Sequence, residues 1–91
     1  MKNTIDISSL IVPAPESYAG RPQISGKELF VEEIATLSKE GFSAQQIKEE
    51  YSCVTMAEVH AALAYYYANY EQIEDFLAEE TAKYQQLSLS L

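Results

Sequence analysis

This 91-residue sequence is short of cysteine, positive charge and long apolar runs. One cysteine, Cys53, excludes an internal disulfide framework and a cysteine-rich zinc site, which suits a reducing, cytoplasmic compartment. No stretch approaches the roughly 20 apolar residues that a bilayer-crossing helix needs, so no membrane span is expected. At the start, Met1 to Asp6 holds one cation, and Asp6 with Ser8-Ser9 interrupts the apolar run of a secretory signal. His60 is the only histidine, so no His-Cys-Asp cluster forms a metal site at recognised spacing and no catalytic partner is evident. There is no glycine-rich phosphate loop and no nucleophile elbow. No cofactor, no metal and no enzymatic activity are expected.

The shortage of cations bears on partners. Six Lys and Arg face fourteen Asp and Glu, a formal net charge of −8. After Cys53 the one cation is Lys83, and none lies between Val54 and Ala82. DNA binding draws on cations that displace counterions from phosphate, so any nucleic-acid contact must come from a local patch. The candidates are Arg21, Lys27, Lys39 and Lys48, diluted by the neighbouring Glu28, Glu32, Glu40 and Glu49.

What the chain does have is 47% hydrophobic residues, enough for a core and too many for wholesale disorder. Its length allows a single domain that buries a modest share of its surface and can lean on a partner or a second copy. All three prolines and two of the three glycines fall between Pro13 and Gly26, which reads as turns and an extended arm over 1–27. Within it, Ile5 to Val12 is a β-branched stretch that predicts a short strand. Arg21 to Ile24 and Leu29 to Val31 could pair through Ser25-Gly26-Lys27. Whether strands pair within or between chains stays open, because an isolated two-stranded ribbon is marginal in water.

A helical domain is expected over 28–87, with a frayed tail at 88–91. Val31, Ile34, Ala35 and Ser38 recur at helical spacing, and Gly41 stands where a C-terminal cap would end that helix. Ser43 to Gln46 and Thr55 to Glu58 both fit capping boxes, so two further helices should start there. A break near Asn69 is preferred over one helix from Thr55 to Gln86, with Ile73, Phe76, Leu77, Tyr84 and Leu87 striping the fourth. The tight link at Cys53-Val54, where the cysteine is expected as a small buried hydrophobe, has the spacing of a helix-turn-helix. The fold class expected is therefore mainly all-α: a tri-helical, homeodomain-like core, a C-terminal helix and an N-terminal arm with short β-strands. The adjacent pairs Glu32-Glu33, Glu49-Glu50 and Glu79-Glu80 point about 100° apart and read as solvated faces.

The third helix is apolar around most of its circumference. Taking Val59 as origin, Leu63, Tyr66 and Tyr70 form the core stripe, with Met56 and Ala62 flanking. The far side carries Ala61, Ala64, Tyr65 and Ala68, to be covered either by the fourth helix or by another chain. Its first turns, Thr55 to His60, hold no Arg, Lys, Asn or Gln to read base edges, and Glu58 would be repelled by phosphate.

The runs Gly20-Arg21-Pro22-Gln23-Ile24-Ser25-Gly26, Val31-Glu32-Glu33-Ile34 and Gly41 to Ile47 resemble domain of unknown function family 433. The likeness continues through Tyr51, Thr55, Val59, Ala61 to Tyr66 and Glu71-Gln72-Ile73, covering about 20 to 77. It implies a small helix-turn-helix protein, often dimeric, antitoxin-like and frequently encoded beside a toxin-like nuclease. Four positions depart from the family pattern. Glu28 replaces an arginine, Phe30 a proline, Ser52 the proline of a Tyr-Pro step, and Tyr70 another proline. The charge reversal at Glu28 counts against an inherited nucleic-acid role. The leading expectation is a non-enzymatic, antitoxin-like protein-binding module, a homodimer or the partner of a toxin-like protein. It would act through Tyr65, Ala61, Ala64, Ala68 and Tyr67. The alternative is a DNA-binding regulator of its own operon, with Arg21, Lys27, Lys39 and Lys48 on phosphates.

Overall fold

Local polar chemistry sets where several elements begin in the computed structural model, which describes residues 6–14 and 20–89. The Asp6 carboxylate accepts from the Ser8 N–H (3.0 Å) and hydroxyl (2.7 Å), and the Ser9 hydroxyl donates to the Asp6 carbonyl (2.7 Å). Such short-range bonds compete with a sheet ladder. They wind Ile7–Ser9 into a 3-10 turn, which corrects the strand expected from Ile5 to Val12. Residues 1–5 lie outside the described residues.

The strand that does form, β1 (Ile11–Pro13), pairs antiparallel with β2 (Pro22–Ile24) within the chain. Ile11 stands opposite Ile24, Val12 opposite Gln23 and Pro13 opposite Pro22. The turn expected at Ser25-Gly26-Lys27 is present: the Lys27 N–H bonds the Ile24 carbonyl at 3.1 Å, and Gly26 takes the positive φ of 78° that a side chain would resist. Beyond that turn the pairing is limited to Gln23 opposite Phe30 and the Ile24 N–H on the Leu29 carbonyl (2.8 Å). The main partner of β2 is therefore β1, and Val31 already belongs to a helix.

Four helices follow: α1 (Val31–Lys39), α2 (Ala44–Glu50), α3 (Met56–Ala68) and α4 (Tyr70–Leu89). Both expected capping boxes close. Ser43 accepts from the Gln46 N–H at 3.2 Å while the Gln46 side chain accepts from the Ser43 N–H at 2.8 Å. Thr55 and Glu58 repeat the exchange at 3.1 and 2.8 Å. Such a cap contributes about 1 kcal/mol. Gly41, at φ 97°, ends α1 as expected. The break at Asn69 is real, so residues 56–89 are two helices. α4 continues to Leu89, past Ser88, where a tail was expected to start. The rest of that tail, residues 90–91, lies outside the described residues.

Helices α1, α2 and α3 pack mutually, and α4 lies against α1 and α3. The core joins Ile24 from the arm to Val31, Ile34, Ile47, Val59 and Ile73, all without exposed surface. Burying each of these contributes about 1.5–3 kcal/mol. The fold is thus mainly α with a short two-stranded sheet in the N-terminal arm. Along α4, every residue from Ala78 to Gln86 is exposed, and the molecule measures 59 × 30 × 23 Å. Among the described residues no helix is long and apolar enough to cross a membrane.

Candidate protein-interaction site

Helix α3 is divided between two surroundings. One side carries Val59, Ala62 and Tyr66 into the core, as its periodicity predicts, with Met56 and Leu63 half-buried. Tyr70 was expected to extend that stripe but is 51% exposed, because the break at Asn69 takes it off the α3 axis. The opposite side meets the N-terminal arm. The 3-10 turn and β1 both pack on α3 there, so the arm, and not α4, is the element that approaches the second face.

That cover is partial. An open groove of about 370 Å³ runs between arm and helix, lined by Ile7, Ser8, Ile11, Ala61, Ala64, Tyr65 and Ala68. Four of the five residues expected at an interface therefore come together. Ala61 is buried at the floor, Tyr65 is half-buried, and Ala64 and Ala68 are exposed. Beyond Tyr65, a second hollow of about 250 Å³ is lined by Ile11, Val12, Pro13, Gly20 and Pro22. Tyr67 does not join the groove. Exposed at 66%, it sits at the corner of α3 and α4 beside Tyr66, whose ring lies 5.1 Å away and also 5.4 Å from Tyr70. Ile7 and Ile11 are groove residues that periodicity along α3 does not reveal, since their approach depends on a contact far apart in sequence. An apolar stretch without charge from Ile7 to Ala14 was the available signal.

The four candidate cations are dispersed among carboxylates. Arg21, from the turn before β2, reaches Glu32 of α1 (3.3 Å) and Glu80 (2.7 Å) and Glu79 (3.8 Å) of α4, with its guanidinium 5.0 Å from the Phe76 ring centre. Lys27 bonds both carboxylate oxygens of Glu58 at 2.6 and 2.7 Å. Lys39 bonds Glu74 at 3.0 and 3.1 Å. Lys48 has no carboxylate at pairing distance among the described residues.

The titration of the carboxylates follows from these contacts. Burial pushes Glu58 upward, but its bonds from Lys27 and Thr55 outweigh burial and hold it below the usual carboxylate range. Glu74 is held low by the Tyr66 hydroxyl, which donates to it at 2.6 Å, and by Lys39. Burial raises Tyr66 in turn, helped by the same carboxylate. Glu32 departs from the solvated face expected of the Glu32-Glu33 pair. It is 3% exposed, its Oε2 has no hydrogen-bond partner, and loss of water raises its pKa together with the nearby Glu80 carboxylate. Arg21 draws it inward.

Two lone residues complete the picture. His60 is exposed, in keeping with a surface histidine. Cys53 is exposed as well, against its expected burial. In the link after α2, the Val54 N–H bonds the Tyr51 carbonyl at 3.1 Å and turns Val54 into the core, leaving Ser52 and Cys53 outside. Among the described residues no cluster of three or more His, Cys, Asp or Glu is arranged to hold a metal ion.

A family described as Protein of unknown function (DUF433) matches residues 11–66, from β1 through most of α3. No curated protein matches, and no solved structure does.

Proposed function

We propose that this chain, which belongs to the DUF433 family, is a non-enzymatic protein-binding module whose contact surface is the groove between its arm and α3. The observation that carries this reading is the absence of any formal charge among the groove residues, in a chain of net charge −8. Uncharged apolar surface with a tyrosine at its wall suits burial against another protein, where aromatic side chains add rigid area with a polar tip. The resemblance to antitoxin-like helix-turn-helix proteins fits such a role, through self-association or through a partner protein in the cytoplasm.

The rival is a DNA-binding regulator, for which the succession of α2, a short link and α3 speaks. Against it, α3 has no Lys or Arg, and Arg21, Lys27 and Lys39 are already engaged by carboxylates. A gel-shift titration with the DNA upstream of its own reading frame, at two salt concentrations, separates the two. The protein-binding reading expects weak association of no sequence preference. Tight, salt-sensitive and sequence-specific binding would overturn it.

A further inference from the structure

One buried acid plays no part in the groove. Glu32, in the first turn of α1, is 3% exposed, and its Oε2 has no hydrogen-bond partner. A buried polar atom left unpaired is costly, most of all when it carries charge. The carboxylate's partner is Arg21, 3.3 Å from Oε1, whose guanidinium also serves Glu80 at 2.7 Å and Glu79 at 3.8 Å. Three carboxylates against one guanidinium leave a formal −2 around the buried oxygen. Glu33 adds negative charge from the same helix, and among the described residues no charged group of α2 or α3 acts on Glu32. Oε2 is shut off from solvent, so the ligand small enough to reach it is a proton. Lost hydration and the Glu80 carboxylate favour that proton, Arg21 opposes it, and the balance lifts the Glu32 pKa above its ordinary 4.5.

The same guanidinium ties down an element that packing does not. From Ala78 to Gln86 every residue of α4 is exposed, so no buried side chain holds this half of the helix against the domain. Among the described residues, the ion pairs and side-chain hydrogen bonds that join this half to other elements all run to Arg21. Arg21 is well placed to hold it. Its side chain is 16% exposed and its guanidinium lies 5.0 Å from the centre of the Phe76 ring of α4.

We propose that Glu32, Arg21, Glu79 and Glu80 form a proton-operated clasp, in which uptake of one proton by Glu32 tightens the arm's hold on the second half of α4. With Glu32 neutral, Arg21 turns its charge wholly to Glu79 and Glu80, and the repulsion between Glu32 and Glu80 is gone. With Glu32 ionised, the closed cluster holds an unpaired buried charge, which is relieved when α4 lifts and water reaches Oε2. The clasped form binds the proton more tightly than the lifted form, whose hydrated Glu32 returns to its ordinary value. The Glu32 contribution is therefore complete below 4.5 and is lost as pH rises through the higher clasped value. None of these residues lines the groove, so the clasp is independent of the protein-binding reading.

Hydrogen exchange and carboxyl carbon-13 spectra of the full chain test it between pH 4.5 and about pH 8. Glu32→Gln supplies the permanently neutral form and Arg21→Gln the broken clasp. In the wild type Glu32 titrates above 4.5. At pH 7 the amides of Thr81 to Gln86 are about 3-fold better protected in Glu32→Gln than in the wild type, the scale of a part-exposed ion pair, and the gap closes toward acid. In Arg21→Gln those amides lose protection at every pH, with the α2 amides as reference for an intact fold. A Glu32 midpoint at or below 4.5 overturns the proposal. Equal protection of wild type and Glu32→Gln across the range does so too, as do α4 amides indifferent to Arg21→Gln. If Arg21→Gln also unprotects α2, the Glu32→Gln comparison alone decides.

Discussion

Replacing Glu58 by glutamine keeps the length of the side chain and one of its oxygens while removing the charge. In the wild type, Oε1 accepts from the Thr55 N–H at 2.8 Å and both oxygens take the Lys27 ammonium at 2.6 and 2.7 Å. The substituted glutamine can still close the capping box, but it turns an amide NH2 toward a cation. Hydrogen bonds to charged groups contribute about 1.5–3 kcal/mol. The low end applies, because the Lys27 side chain is 27% exposed and regains water when released. A loss of about 1.5 kcal/mol at pH 7 moves the urea midpoint down by roughly 1 M for a domain of this size. The pH dependence supplies the sharper check. Burial alone would raise the Glu58 pKa, yet the Lys27 and Thr55 bonds bring it below its ordinary value of 4.5. Ionised Glu58 therefore adds stability that is complete above 4.5 and disappears as pH falls through the lower folded value. Urea titrations followed by circular dichroism should show the gap between wild type and Glu58→Gln at neutral pH, shrinking as the pH falls below 4.5. Equal midpoints at pH 7, or a gap that persists in acid, would refute the assignment of Lys27 to Glu58.

Two further substitutions probe the core and the link. Ile34→Ala, at a side chain without exposed surface, should cost about 2–5 kcal/mol in thermal or urea unfolding, and a cost below about 1 kcal/mol would place Ile34 outside the close-packed core. Cys53→Ser should change stability by no more than about 0.5 kcal/mol, and the Cys53 thiol of the folded wild type should react fully with a thiol reagent; protection of that thiol would contradict its exposure.

Helix starts were legible in the chain because they are short-range chemistry. Ser43 with Gln46 and Thr55 with Glu58 carry both halves of each cap within one turn, and Gly41 and Asn69 mark where helices stop. The arm was less legible. Ile5 to Val12 has strand composition, but Asp6 and two serines bond locally and consume part of it as a 3-10 turn. Periodicity brought Ala61, Ala64, Tyr65 and Ala68 to one face of α3, yet it could not say that Ile7 and Ile11 would lie over them. Tyr67 was counted with them, although at about 100° per residue it lies about 160° from Tyr65 and about 120° from Ala61 around the helix. The burial of Glu32 escaped notice for the same reason as the groove: Arg21, Glu79 and Glu80 reach it from distant parts of the chain.

The most direct measurement is a series of amide nitrogen–proton spectra recorded from dilute to concentrated protein. If the uncharged face is where this chain meets protein, concentration-dependent shifts gather at Ile7, Ile11, Ala61, Ala64 and Ala68 while the signals of α2 stay in place. Shifts gathered around Lys48 or along the acidic turns of α4, with the groove amides unmoved, would contradict it.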